Sequence, residues 1–125
     1  MTKETVEKYV QAIDGKSILA TVKGGEKNEN GAISMPWVDY DDVINDLMKD
    51  FFESDMVDYD YHRNSNRLLD GRECDAARIA TMTRAELGTY LTYILRGERF
   101  CTGIIKSFLD NGVLVALLQR LSEML

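Results

Sequence analysis

Three helical patterns follow one another in the last third of the chain, and only a few residues separate each from the next. The first begins at Thr83-Arg84-Ala85-Glu86, which has the form of a capping box: the Thr83 hydroxyl accepts from the Glu86 amide, and the Glu86 carboxylate accepts from the Thr83 amide. Apolar residues then recur at helical spacing, at Leu87, Tyr90, Leu91, Ile94 and Leu95. Gly97 is a residue type that ends helices, so the pattern predicts a helix from Thr83 to Gly97.

The other two patterns predict a helical end to the chain. The second has apolar residues at Phe100, Ile104, Ile105, Phe108 and Leu109. It stops at Asn111-Gly112, and the third carries one stripe of leucines at Leu114, Leu117, Leu118, Leu121 and Leu125. Because joints this short force neighbouring helices to pack against each other, the region predicts a compact helical unit.

Two further helices are predicted upstream. The first has Thr2 as its N-cap and Gly15 at its end. Its apolar residues are Val6, Tyr9, Val10 and Ile13. The second begins after Pro36, with Asp41 or Asp42 as its cap. Its apolar stripe consists of Ile44, Leu47, Met48, Phe51 and Phe52.

The segments between these helices have weaker patterns. Residues 17–38 are compatible with a small β hairpin, between 18–22 and 32–38, and also with an irregular excursion. Residues 55–71 alternate polar and aromatic side chains, which predicts a loop with one helical turn at 67–69.

The patterns together predict a mostly α protein. With a short helix from Cys74, the chain would form a compact bundle of about five to six helices, as a single domain over residues 1–125. A chain of this length buries enough surface for one core without disulfides. Only two cysteines occur, and no apolar run suits a signal peptide or a membrane span, so a cytoplasmic location is expected.

Charge is unevenly distributed along the chain, whose net charge is −6. Residues 1–61 hold 6 Lys and Arg against 14 Asp and Glu, and residues 62–125 hold 9 against 7. Segment 39–60 alone contains nine carboxylates and one lysine, whereas every arginine follows Tyr61. An acidic first half and an arginine-bearing second half are able to steer association with a charged partner.

Several short motifs stand out along the chain. The segment Arg96-Gly97-Glu98-Arg99-Phe100-Cys101-Thr102-Gly103 has the form Arg-x-x-Arg-Phe-Cys-x-Gly, and Asp110-Asn111-Gly112-Val113-Leu114 supplies a Gly-x-Leu turn. Upstream, Gly24-Gly25 with Gly31 forms a Gly-rich turn. Met35-Pro36-Trp37-Val38-Asp39-Tyr40 adds a Pro-aromatic-x-x-Tyr segment.

With these motifs the chain resembles a family of small bacterial proteins classed only as a domain of unknown function. The resemblance spans residues 24–121, most of the chain. Where that family tends to have an aromatic pair with tryptophans, this chain has Tyr59 and Tyr61. The resemblance implies a mostly helical domain and supplies no activity.

Two interpretations of Arg96, Glu98 and Arg99 compete. In the first, they form an anion- or partner-binding cluster at a helix N-terminus, where free backbone amides favour negative ligands. In the second, Arg96 or Arg99 pairs with Asp110, Glu86 or a carboxylate of the acidic helix and fixes the joint between two helices. Partly buried arginines are more often used in the second way, so the sequence favours it.

Few residues suit catalysis or metal binding. Cys101 lies between Phe100 and Ile104 and is predicted to be a core residue, because a catalytic cysteine needs a histidine base. His62, the only histidine, is expected in a surface loop. The acidic stretch lacks the glycine and glutamate positions of a calcium-binding EF-hand loop. No catalytic triad, phosphate-binding loop or dinucleotide fingerprint is present, so no cofactor and no metal are expected.

The sequence therefore predicts a non-catalytic protein-interaction or accessory module. Its candidate contact region is an aromatic rim of Trp37, Tyr40, Tyr59 and Tyr61, since aromatic side chains among carboxylates are typical of binding surfaces. A core position for Trp37 and Tyr40 is an equal alternative.

Two other functions stay open. A nucleic-acid-associated regulator would use the arginines of the second half, at Arg63, Arg67, Arg72, Arg78 and Arg84, although the net charge disfavours a phosphate partner. An enzyme with an anion site at Arg96, Glu98 and Arg99 would need an open cleft around them. A homodimer through the leucine-rich last helix is also open, and a membrane partner is not expected.

Overall fold

A computed structural model describes residues 1–16, 18–27, 29–33, 35–69 and 75–125, with the backbone alone for residues 66–69. In these ranges the elements are α1 (Lys3–Gly15), β1 (Ala20–Lys23), β2 (Trp37–Tyr40), α2 (Asp42–Phe52), α3 (Tyr61–Leu69), α4 (Ala76–Ala80), α5 (Arg84–Gly97), α6 (Ile104–Asp110) and α7 (Val113–Met124). The prediction of a mostly α fold with a small hairpin is confirmed.

Local sequence signals fix the starts of α1 and α5. Thr2 caps α1, since its hydroxyl accepts from the Thr5 amide at 3.2 Å. At α5 the capping box is complete: the Thr83 amide donates to Glu86 Oε1 at 3.0 Å, and the Glu86 amide donates to Thr83 Oγ1 at 3.2 Å. Asp41 takes the N-cap position of α2, but its carboxylate binds Lys16 and does not cap the helix.

Helices α5 and α7 together form the centre of the core. Helix α5 packs against α3, α6 and α7, while α7 also contacts α1 and α4. The buried residues of α5 are Leu87, Gly88, Thr89, Tyr90, Leu91, Thr92, Ile94 and Leu95. They include more than the predicted apolar face, because Gly88, Thr89 and Thr92 bury the opposite side of the helix. Helix α5 is therefore buried on both sides.

The hairpin formed by β1 and β2 is antiparallel, with register pairs from Ala20↔Tyr40 to Lys23↔Trp37. Its second strand begins later than the sequence predicted, at Trp37 instead of residue 32. On the outer face, the Lys23 ammonium lies 3.0 Å from Asp39 and 5.5 Å from the centre of the Trp37 ring. These contacts are made across the strands, so strand spacing alone does not reveal them.

Helix α3 corrects the predicted loop at 55–71. The segment forms a helix of nine residues that begins at Tyr61, and it contacts α5. Tyr61 and Ser65, one turn apart, are only 6% and 4% exposed. Between Tyr61 and Leu68 the helix contains no large apolar residue, so the sequence has too little apolar periodicity to reveal it.

The core prediction for Cys101 is wrong. Its side chain is exposed, and the neighbouring Phe100 is 77% exposed. Helix α6 begins only at Ile104, after Gly103 takes a left-handed φ of +93° that side chains rarely adopt. The residues between α5 and α6 therefore do not continue the apolar stripe of α6.

Candidate functional site

The carboxylate of Glu98 lies at the centre of the joint between α5 and α6. Glu98 Oε2 accepts from the Gly103 amide at 2.6 Å, and Oε1 accepts from the Ile105 amide at 3.1 Å. The Tyr40 hydroxyl donates to the same Oε1. One carboxylate thus closes the joint and also connects it to β2.

The Tyr40 hydroxyl has a second partner, because it accepts from the Lys106 amide at 3.1 Å. Burial and the hydrogen bond to Glu98 raise the pKa of Tyr40 above its ordinary value. The phenol therefore stays protonated at neutral pH and acts as a donor to Glu98. Val38 of β2 also adjoins the joint, since a Cβ at Gly103 would lie at an ordinary van der Waals distance of 3.7 Å from Val38 Cγ2.

These bonds occupy the amides at the start of α6. The Ile104 amide donates to the Cys101 carbonyl at 3.2 Å, the Ile105 amide to Glu98 and the Lys106 amide to Tyr40. A helix N-terminus attracts an anion through amides that have no partner within the helix. At the start of α6 these amides already donate to oxygen atoms of Cys101, Glu98 and Tyr40, which therefore occupy the position that an anion would take.

The two arginines of the predicted cluster lie apart from this network. Arg96 is half-buried and Arg99 is exposed. In the part of the chain that the structure describes, neither forms a salt bridge, and Asp110 binds Lys106 at 2.6 Å. Glu98 is thus the member of the cluster with a clear structural task, and a binding role for the arginines stays a prediction.

The four aromatic candidates occupy different environments. Trp37 is 49% exposed on the outer face of the hairpin, and Tyr59 is 81% exposed. Tyr40 is half-buried with its hydroxyl bound to Glu98. Tyr61 is buried and its ring lies 4.1 Å from that of His62, centre to centre. Trp37 and Tyr59 are the two of the four that are accessible to a partner, and their binding role stays a prediction.

Large apolar side chains are exposed along the hairpin and its connection. The segment 18–37 presents Ile18, Val22, Ile33, Met35 and Trp37 to solvent. We call these five residues the hairpin surface; the register places Trp37 on the outer face of the sheet and Val22 on the opposite face. Met35 and Trp37 of this surface also belong to the Pro-aromatic-x-x-Tyr segment, but that motif does not indicate which of its side chains are exposed.

A cleft of about 520 Å³ opens between the base of the hairpin and the helices beneath it. Its apolar lining comes from α1, β1, α6 and α7 with the residue stretch before β1, and includes Ile13, Ile18, Leu19, Ala20, Leu109 and Val115. Charged groups at its rim are Asp14, Lys16, Lys106 and Asp110. Arg96, Glu98 and Arg99 do not line this cleft, which lies beside the predicted anion cluster and not around it.

Asp58 is the centre of a second polar network, which the sequence analysis missed. Its Oδ2 accepts from Thr89 Oγ1 at 2.7 Å and from Asn64 Nδ2 at 2.8 Å. Its own amide donates to Thr92 Oγ1 at 3.0 Å. The carboxylate thereby connects α3 to the buried polar side of α5. The sequence did contain one indication of this network: Thr89 and Thr92 lie three residues apart in a helix whose other buried residues are mostly apolar.

The ionisation of Asp58 follows from these contacts. Burial alone would raise the pKa of its carboxyl group, but hydrogen bonds from Asn64, Thr89 and the Asp60 amide hold the pKa below its ordinary value. The charged form is therefore the one that the folded protein stabilises.

The residues that the structure describes contain neither a metal-binding cluster nor a membrane-spanning helix. No group of three or more His, Cys, Asp or Glu side chains there is arranged to hold a metal ion. Among the helices described, none combines the length and the apolar character needed to cross a membrane.

The fold and the site define a mostly helical protein with a small antiparallel sheet bonded to an interhelical joint. This chain belongs to a family of unknown function (DUF6508), whose model matches residues 3–125. The resemblance to a family without an assigned activity is thus confirmed. Comparison with curated proteins and with solved structures gives no match.

Proposed function

We propose that this protein is a non-catalytic interaction module that binds a partner protein through the hairpin surface. One observation carries the proposal: five of the eight large apolar side chains exposed in the described residues lie in segment 18–37. Exposed apolar side chains concentrated in one region are a common mark of protein-binding sites. Isolated exposed residues elsewhere in the chain do not need such an explanation.

The surroundings of Trp37 suit a binding site. Its ring lies under the Lys23 ammonium, and Lys23 also pairs with Asp39, so charged groups border the aromatic side chain. Apolar centres with polar rims are typical of protein interfaces, and tryptophan is among the residues that contribute most to binding energy.

The attachment of the hairpin favours binding as well. Tyr40, at the end of β2, is hydrogen-bonded to Glu98 in the interhelical joint. A surface that is held in place before binding loses less conformational entropy when a partner docks. The hydrogen bonds of Glu98 thus hold in place the hairpin that carries the binding surface.

The other two hypotheses have less support. Of the arginines proposed for nucleic-acid binding, Arg63 lies 3.8 Å from Asp60 and Arg84 lies 3.4 Å from Asp55. Each pairing reduces the positive charge available to phosphates. The side chain of Arg67 and the whole of Arg72 fall outside the described residues. An enzyme site at Glu98 would compete with three hydrogen bonds that its carboxylate already accepts.

The experiment compares capture of proteins from a bacterial cell extract by three immobilised forms. These are the wild type, the double variant Met35→Ser/Trp37→Ser, and the control Met124→Ser, which removes an exposed apolar side chain from α7. We expect the same protein to be captured by the wild type and by the control, and to be lost with the double variant. Capture that persists in the double variant, or no specific capture at all, would contradict the proposal. Circular dichroism of the three forms checks that each is folded.

A further inference from the structure

We propose that the partner docks as an extended strand along the open edge of β1. Apolar side chains at alternate positions of that strand would enter the adjoining cleft, and a Lys or Arg would face Asp14. The inference rests on the proposed function and specifies the chemistry of the partner: a protein segment with alternating apolar residues and a basic residue at one end.

The hydrogen-bonding pattern of the hairpin leaves the outer edge of β1 open. The Asp41 amide donates to the Leu19 carbonyl at 2.8 Å, which makes these two residues a hydrogen-bonded pair. Hydrogen-bonded and non-hydrogen-bonded pairs alternate in an antiparallel ladder. In this register the amide and carbonyl groups of Ala20 and Val22 therefore point away from β2. No described residue bonds to them, so they offer two donors and two acceptors to an added strand.

The edge of β2 is less available than that of β1. There the Tyr40 carbonyl accepts from Asn45 Nδ2 at 3.4 Å, and the Tyr40 side chain is held by Glu98. An added strand would have to displace the Asn45 contact. Among the described residues, the lining of the cleft includes β1 but not β2. The cleft therefore adjoins the strand that has the open edge.

The cleft supplies what a bare strand edge lacks, namely a place for side chains. Ala20 both lines the cleft and carries open backbone groups, and Ile18 and Leu19 continue the lining from the same strand end. Successive side chains of a strand point to opposite faces, so every second residue of an added strand would face the same way. In this recognition mode, backbone bonds give affinity and pockets for alternate side chains give specificity.

The charged residues that line the cleft favour a basic partner. Two of the four charged groups at the rim of the cleft are lysines that already have carboxylate partners: Lys16 binds Asp41 at 2.6 Å, and Lys106 binds Asp110 at 2.6 Å. Asp14 has no salt bridge to a described residue and lies in the last turn of α1. The C-terminus of a helix carries a partial negative charge, which adds to that of the carboxylate. A Lys or Arg of the partner would complement both.

The test starts with selection of random displayed peptides against the wild-type protein. We expect the enriched peptides to alternate apolar and other residues and to carry a Lys or Arg. Binding of the enriched peptides, made synthetically, is then measured by calorimetry with two edge variants. Val22→Pro removes an outward amide without removing a bond of the hairpin ladder, whereas Val22→Ala shortens the same side chain and keeps the amide. We expect Val22→Pro to weaken binding about tenfold relative to Val22→Ala.

A charge exchange provides a second test that does not depend on the proline variant. Asp14→Lys should weaken binding of the basic peptides, and a peptide with Glu in place of its basic residue should bind this variant better than it binds the wild type. Enrichment of no peptide, equal binding by Val22→Pro and Val22→Ala, or no response to the exchange would overturn the inference. If the double variant Met35→Ser/Trp37→Ser loses the captured partner while Val22→Pro and Asp14→Lys keep it, the proposed function stands and strand addition fails.

Discussion

The hydroxyl of Tyr40 donates a hydrogen bond to the carboxylate of Glu98, although 58 positions separate the two residues in the chain. The same hydroxyl accepts from the Lys106 amide, and the same carboxylate accepts from the Gly103 amide. The hairpin, the end of α5 and the start of α6 thus share one hydrogen-bonded unit. Loss of either side chain would leave polar groups of the other elements without partners.

Removal of the Tyr40 hydroxyl should destabilise the protein. Tyr40→Phe keeps the ring but leaves the Glu98 carboxylate and the Lys106 amide each short of one partner. We expect the free energy of unfolding in urea to fall by about 1–3 kcal/mol, the usual cost of losing a hydrogen bond to a charged group. Tyr59→Phe, at an exposed position, is the matched control and should change it by less than about 0.5 kcal/mol. Equal effects of the two substitutions would contradict the role of the network.

Glu98 and Arg99, although adjacent, should respond very differently to substitution. Glu98→Gln places an amide group where the carboxylate accepts from backbone amides, so we expect a loss of about 1–2 kcal/mol in unfolding free energy. Arg99→Ala removes an exposed side chain and should leave the value within about 0.5 kcal/mol. Thermal and urea unfolding of both variants provide the measurement. A large loss with Arg99→Ala would instead indicate that this arginine holds the joint.

Asp58 should make stability depend on pH. Since its pKa in the folded protein is below the ordinary value of 3.8, the ionised carboxylate stabilises the fold above that pH. This contribution is lost as the pH falls through the folded pKa. Asp58→Asn should therefore cost about 1–3 kcal/mol at pH 7 and progressively less below pH about 4. Urea unfolding at several pH values measures the difference, with the exposed Asp46→Asn as control; a difference that stays constant with pH would refute the assignment.

Gly88 should not tolerate a side chain. A Cβ at this position would lie 2.5 Å from the Met56 carbonyl oxygen, so Gly88→Ala forces the loop before α3 away from α5. We expect a loss of about 1–3 kcal/mol in unfolding free energy. Gly15→Ala is the control, because a Cβ added there meets nothing within 4 Å, and at the end of α1 it should change the unfolding free energy by less than about 1 kcal/mol. A neutral Gly88→Ala would show that the loop adjusts without cost.

Cys101 should react with a thiol reagent in the folded protein. Its side chain is exposed, so Ellman's reagent should modify it without denaturant. The measurement is made in a Cys74→Ser background, which assigns the signal to Cys101, and Cys101→Ser in the same background should abolish it. Modification that requires denaturant would contradict the exposed position.

Much of the secondary structure could be predicted because its causes are local. The bonds of the capping box join residues three apart, and the leucines of α7 repeat within single turns, so both are visible in the sequence. The candidate site was only partly predictable. Tyr40 and Glu98 were predicted as parts of two different surfaces, since nothing in the sequence indicates that a residue of β2 reaches the joint between α5 and α6, 58 positions further along the chain.

The sequence by itself determined the mostly helical class, the helix caps and the apolar face of α5. The tertiary structure decided the rest. In the folded protein Tyr61 is buried and anchors α3, and Cys101 is exposed. The carboxylate of Glu98 accepts from an amide at the start of α6. The physical reason is the range of the interactions: helix caps and apolar periodicity act between neighbours in the chain, whereas burial and the choice of hydrogen-bond partner depend on which segments meet in space.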